Sequence, residues 1–315
     1  MKELPLITVI TPCYNNSDTV CDAIDSVLSQ TYENIEYFVI DDGSAQVDIP
    51  QIYAYIQDNK RENIKRFEVI ANPDNYGTTK TLNIGIRAAH GKYIYTLAAD
   101  DCFYDNNVLA DWTEEFLRTG AEVITAKRAV YDENMAQRKH IAPSAAHIKL
   151  IESSTPRELF DKMTGCNIIF SCCTARTREC YEKNGFLDER YRLIDDYPIN
   201  MRLLRGGTPF VFFDRIVIKY RLGGISNANR ITKSYTKESN SIFKNEILPF
   251  VANKHEAKAA FSHWKQRNSY LYDKRVLPQK YHIKESRFGK IVYKMVMFAK
   301  HIPYLIYKNH SKPNK

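Results

Sequence analysis

The 315-residue chain is long enough for one large domain or one domain plus a smaller appendage, and at 44% hydrophobic it can bury a sizeable core. It has no run of about 18 uncharged apolar residues, which argues against a bilayer-spanning helix, and its first 16 residues lack a signal-peptide layout, so a cytoplasmic protein is expected. Its seven cysteines are dispersed without a C-x-x-C pair, which argues against a zinc site or a disulfide framework, and the net charge of +8 is unevenly placed: residues 231–315 carry 18 Lys and Arg against 5 Asp and Glu, the rest 27 against 32.

The β-rich run Ile7 to Thr11 predicts a first strand, ended by Pro12. Val20, Ile24, Val27 and Leu28 recur at helical spacing and predict a helix over 17–30. Ile35 to Ile40 predicts a second strand that ends in Asp41-Asp42-Gly43-Ser44. Phe67 to Ala71 predicts a third, followed by Asn72-Pro73-Asp74-Asn75-Tyr76-Gly77 and a helix through Leu82, Ile86 and Ala89. A fourth strand from Tyr93 runs into Leu97-Ala98-Ala99-Asp100-Asp101. Strand–helix alternation of this kind predicts an α/β fold with a parallel sheet, helices on both faces and the strand ends gathered on one edge. Three of those ends carry polar groups, where open α/β sheets collect ligands.

Residues 123–130 predict a strand, 132–156 a polar loop over that edge, and 167–174 another strand. Asp195-Asp196-Tyr197-Pro198 opens a helix through Leu204, stopped by Gly206-Gly207. Residues 210–220 form a strand pair or a bent strand and lead into a basic loop from Arg221 through Ser226. A boundary near residue 230 divides a larger domain, 1–230, from a basic extension, 231–315.

Asp100 and Asp101 either cap the following helix or hold a hard divalent cation against a phosphate. Asp195 and Asp196 stand where acids favour a helix N-terminus.

Taken together, Val9 to Asn15, Asp41 to Ser44, Asn75 to Gly77 with Asn83 and Gly85, Leu97 to Asp101, and Asp195 to Tyr197 with Arg202 resemble, in order, the inverting family 2 glycosyltransferases of GT-A fold, of the bacterial surface-polysaccharide type. The resemblance covers roughly residues 5–228. It implies transfer of a sugar from a nucleotide-sugar, expected to be a UDP-sugar, to a glycan or a polyprenyl-linked acceptor. It places Pro12, Tyr14 and Asn15 against base or ribose, Asp42 at the base, Asn75 and Gly77 near the nucleotide, Asp101 at the donor, and Arg221 with Ser226 over the diphosphate. Asp196 is the implied general base. Of the family's Asp-x-Asp metal motif the first acid is replaced by Ala98; Asp100 remains as the implied ligand of Mn²⁺ or Mg²⁺. Two other classes compete. A non-catalytic glycosyltransferase-like binding protein is favoured by Ala98 and opposed by Asp100 and Asp196. A nucleotidyltransferase shares the layout but needs a Gly- and basic-rich loop that residues 12–16 lack.

In the extension, residues 242–261 predict a helix. Beyond it, Phe288, Ile291, Val292, Met295, Val296, Phe298 and Ile302 interleave with Arg287, Lys290, Lys294 and Lys300. That mixture suits either a helix lying on an anionic membrane, with a peripheral place on the inner face of the cell membrane, or an ordinary amphipathic helix docked on the protein. No nucleic-acid motif accompanies the basic residues, and no nucleic-acid partner is expected.

Overall fold

The computed structural model describes residues 4–45, 48–224, 233–280 and 287–310. The chain divides into two compact units: residues 1–161 with 167–222, and residues 162–166 with 223–315.

The first unit opens with β1 (Ile7–Cys13), α1 (Val20–Leu28), β2 (Ile35–Asp41), α2 (Ile49–Asn59), β3 (Ile64–Ala71), α3 (Thr78–Ala88) and β4 (Tyr93–Thr96). β1 and β2 are almost wholly buried, as strands covered by helices on both sides must be, and buried polar residues in them pair with each other, as Thr8 does with Glu36. β1 pairs in parallel with β2 on one side and β4 on the other, and β2 pairs in parallel with β3. Strand order therefore reverses at β1, the position where open α/β sheets bind ligands at the carboxyl ends of the strands. α3 lies close on this sheet because Gly85 has no side chain: a Cβ there would come within 2.7 Å of Ile10 Cγ2.

The unit continues with β5 (Cys102–Phe103), α4 (Val108–Thr119), β6 (Val123–Tyr131), β7 (Arg138–Ala142), α5 (Ala145–Ser153), α6 (Pro156–Lys162), a 3₁₀ turn (Ser171–Cys173), β8 (Thr174–Thr177), α7 (Arg178–Asn184), α8 (Asp196–Arg205) and β9 (Val211–Arg221). The sheet order is β3-β2-β1-β4-β8-β6-β9-β5, with β7 on β6. β8 is antiparallel to both β4 and β6, and β5 is antiparallel to β9, so the sheet is mixed where an all-parallel one is expected. Three local expectations also change. Residues 167–174 hold a turn before a short strand, and the apolar run Ile168-Ile169-Phe170 had suggested the strand too early. The 132–156 stretch is partly ordered as β7 and α5; β7 is exposed along most of its length and lacks the alternation that marks a half-buried strand. α2 has no counterpart in the sequence reading, since only Ile52 and Ile56 of it are buried.

The second unit contains α9 (Lys233–Ile242), continued by a π-helical turn (Phe243–Ile247), then α10 (Lys254–Lys280) and α11 (Arg287–His310). The single helix expected over 242–261 is therefore broken between Leu248 and Asn253. Phe243 and Phe261 stack face to face across the break at 4.1 Å. The Ile225 to Ser226 part of the expected diphosphate loop lies outside the described residues.

Candidate active site

Five strand ends, those of β1, β2, β3, β4 and β9, and the start of α8 build the site. After β4 the chain continues alongside β1: Leu97 N donates to Ile10 O and Ala99 N to Pro12 O. This extension carries Asp100 and Asp101 to where β1 ends in Pro12-Cys13-Tyr14-Asn15. Thr19 Oγ1 ties the β1 loop back to Ala99 O at 2.8 Å. Tyr14 is exposed, and Asn15 takes a left-handed φ of 53°. Asn15 N donates to Ser44 Oγ at 2.8 Å, and that hydroxyl donates to Asp41. Asp41 is thereby occupied in fixing the turn between the first two loops.

Asp42 is buried and makes a staple. Its Oδ1 accepts from Tyr76 N at 2.7 Å, Thr81 Oγ1 at 2.7 Å and Asn72 Nδ2 at 3.0 Å; its Oδ2 accepts from Gly77 N at 2.8 Å. The residue expected at the base thus first holds the Asn75-Tyr76-Gly77 loop. Oδ2, with one donor, keeps acceptor capacity for a base N–H. Gly77 itself has φ +88°, and a Cβ on it would lie 2.0 Å from Arg192 Cγ. Arg192 reaches Asn75 O at 2.6 Å, and its own carbonyl accepts from Thr79 N. A glycine is required both by the backbone sign and by this close approach.

Asp101 is buried and Asp100 half-buried. Burial raises both carboxyls above the usual range, and for Asp101 the Asp100 charge adds to it. Asp101 Oδ1 accepts from Arg221 N at 2.8 Å, whereas Oδ2 is buried with no hydrogen-bond partner among the described residues. An orphaned carboxylate oxygen beside a second acid fits a hard cation. Among the described residues no group of three or more His, Cys, Asp or Glu stands together where it could hold a metal ion, so a cation at the Asp100–Asp101 corner would need ligands from outside the chain. The orphan oxygen brings Asp101 forward as a ligand candidate beside Asp100.

Arg221 differs from its expected place. It is the last residue of β9, not part of a loop, and its guanidinium is committed to the chain: Nε donates to Asp100 O at 2.9 Å, Nη1 to Glu133 O at 3.1 Å, and Nη2 pairs with Asp22 Oδ2 at 2.9 Å. It braces the acidic corner from three directions and does not present a free fork to a diphosphate.

Asp195 and Asp196 stand at the start of α8. Ser171 anchors both: its N donates to Asp196 Oδ2 at 3.1 Å and its hydroxyl to Asp195 Oδ2 at 2.5 Å. Burial pushes the Asp196 carboxyl up to about 7, and the neighbouring Asp195 charge adds to the shift. The same turn reaches the other acid pair through Arg128. Its guanidinium lies over the rings of Phe170 and Tyr220, 3.9 and 4.1 Å from their centroids, and meets Cys172 Sγ at 3.4 Å. Arg128 partly offsets the burial of Asp101. Asn83 completes the frame: buried in α3, it bonds Leu187 N and O at 3.0 and 2.9 Å and so docks the segment leading to Asp195.

The arrangement matches known proteins in sequence and in fold. The family model for Glycosyl transferase family 2 matches residues 8–185, more than half of the chain. The chain belongs to glycosyl transferase family 2. An uncharacterized glycosyltransferase of Rickettsia felis is 28% identical to this family member over 248 residues, which cover 76% of this chain and 38% of that one. For a Rickettsia bellii relative the second share is 33%, so the chain spans well under half the length of both. The uncharacterized glycosyltransferase RP339 of Rickettsia prowazekii is 26% identical over 284 residues, covering 85% and 82%. Among solved structures, S. aureus TarS 1–349 in complex with UDP-GlcNAc superposes with TM-score 0.62 at 14% identity, covering 94% and 81%. Mannosyltransferase PcManGT from Pyrobaculum calidifontis, in complex with GDP-Man and Mn²⁺, gives 0.55 at 15%, covering 96% and 88%. At these identities the likeness shows a shared GT-A fold.

Several working residues of this family 2 member escape sequence reading. Ser171, Arg192, Thr81 and Asn72 act through contacts 9 to 117 residues apart in sequence, and none stands in a local pattern that announces it. Ser171 carried one usable signal: a polar residue closing an apolar run, read here as strand interior.

Proposed function

We propose that the chain is an inverting glycosyltransferase that moves a sugar from a nucleoside-diphosphate sugar to a hydroxyl of a glycan or polyprenyl-linked acceptor at the inner face of the cell membrane. The observation that carries this reading is the pair of acidic corners linked by the 170–173 turn: Asp100–Asp101 at the strand reversal and Asp195–Asp196 at a helix start. One suits a diphosphate, the other a proton. The likeness to TarS with UDP-GlcNAc favours a UDP-sugar.

In the proposed reaction the donor's base lies by Pro12, Tyr14 and Asn15, with its N–H toward Asp42 Oδ2. The loop at Asn75 and Gly77 supports the nucleotide. Asp100 and Asp101 would hold Mn²⁺ or Mg²⁺, which when bound offsets charge on the departing diphosphate. Arg221 keeps those two acids in place. Asp196 takes the proton of the acceptor hydroxyl as its oxygen attacks the anomeric carbon opposite the leaving group, which inverts the centre. A base with a pKa near the working pH suits that role.

Two results test the reading. In a thermal-shift panel, UDP is expected to raise the melting temperature more than GDP, and more with Mn²⁺ than without, because a ligand of the folded state alone stabilises it by mass action. A flat response to every nucleotide would leave a fold without a donor site. In initial rates, kcat/KM should rise with pH through a midpoint near 7, since Asp196 acts only when deprotonated. Asp195→Asn removes the adjacent negative charge and should move that limb to lower pH; an unmoved limb would assign it to another group.

A further inference from the structure

Among the described residues, α11 carries one covered face and one exposed apolar face. The helix packs along α10 within the second unit, with Met297 and His301 buried and Tyr293 and Tyr304 half-buried. On a 3.6-residue turn these four fall on one side of the helix. Ile291, Met295 and Phe298, spaced i, i+4 and i+7, fall on another side, and they are 53%, 67% and 63% exposed. Ile302, also exposed, continues the stripe past an irregular turn at His301, two residues before Pro303. Single exposed apolar residues are common on proteins, but four large ones aligned on one face mark an interaction surface.

Charge chooses the occupant. α11 carries five Lys and Arg and no Asp or Glu along its 24 residues. Lys290, Lys294 and Lys300 are exposed. No described helix is long and apolar enough to cross a membrane. An apolar stripe with Phe and Met, with Lys294 beside it on a helix that carries five basic residues and no acid, matches a helix lying in a lipid interface, with apolar side chains among the acyl chains and basic side chains reaching anionic headgroups.

We propose that the Ile291–Met295–Phe298–Ile302 face of α11 docks on an anionic bilayer. The inference deepens the reading of a lipid-linked acceptor by naming the surface that meets the lipid, yet it rests on α11 alone. Sedimentation of the full chain with vesicles of phosphatidylglycerol and phosphatidylcholine, against phosphatidylcholine alone, tests it. Binding to the anionic vesicles is expected to be at least about tenfold stronger and to weaken with salt. A triple variant, Ile291→Glu, Met295→Glu and Phe298→Glu, changes only exposed positions and should bind about tenfold or more weakly. Lys290→Glu with Lys294→Glu should lose the preference for anionic lipid. Both variants should keep the wild-type thermal shift with UDP, which separates a lost surface from a lost fold and keeps this test apart from the donor reading. Equal binding to both vesicle types, or wild-type binding by the triple variant, would overturn the proposal. So would a chain that stays off vesicles and self-associates through this face, as shown by a dimer in sedimentation velocity that the triple variant abolishes.

Discussion

Asp196→Asn is expected to lower sugar transfer by about 10²–10⁴-fold while nucleotide binding persists. The amide keeps the size of the carboxylate and can still accept from Ser171 N, so the start of α8 stays in place. What disappears is the ability to take the acceptor proton. The folded protein should not suffer. Burial and Asp195 raise the Asp196 pKa from 3.8 to about 7, so the folded state binds this proton more tightly than the unfolded chain does. Stability from this group is therefore full below about pH 4 and declines as pH rises toward 7. A neutral Asn escapes that decline, and the variant's melting temperature at neutral pH should equal or exceed that of the wild type. Single-turnover transfer assays beside thermal shifts with UDP measure both halves. Near-normal turnover would remove Asp196 from the reaction; loss of the UDP shift together with turnover would assign it to the donor pocket.

Asp42→Ala is expected to act on stability first and on nucleotide binding through it. Four donors converge on this buried carboxylate, two of them backbone N–H groups of the loop at Tyr76 and Gly77. Leaving buried donors without an acceptor costs about 1–3 kcal/mol each, reduced where the loop can move out to water. A net loss of about 2–4 kcal/mol follows, or roughly 5–15 °C in melting temperature for a unit of this size. Affinity for UDP and GDP should fall together, because the loop that supports either nucleotide is released. If Asp42 served only to read the base, the melting temperature would hold and only the preference between the two nucleotides would change. Calorimetric unfolding and titration with each nucleotide distinguish these outcomes.

The first half of the fold is legible because its rules are local. β1, α1, β2, β3, α3 and β4 each follow from a run or a periodicity within about a dozen residues, and the reversal at β1 brings their polar ends together. The second half depends on pairings that no local pattern encodes. β8 inserts between β4 and β6, joining Ile94 to Arg176 and Ile124 to Ala175, and so turns a parallel sheet into a mixed one. The site divides in the same way. Asp42, Asp100, Asp101 and Asp196 stand at recognisable element ends. The partners that fix their geometry are not announced in the same way: Ser171 looks like part of a strand, Arg192 stands in no motif, and the resemblance puts Arg221 over the diphosphate rather than against Asp100, Glu133 and Asp22. Each is set by a neighbour distant in the chain, and a lone Arg or Ser gives no hint of which neighbour that is.

The segment from Leu187 to Asp196 is tied at three points: to α3 by Asn83, to the nucleotide loop by Arg192, and to the 171 turn by its own two acids. One short strap therefore joins the loop at 75–77 to the start of α8. Under the proposed mechanism, a change made in that loop to admit a different base would also reach the position of Asp196, so donor choice and acceptor reactivity would be altered together.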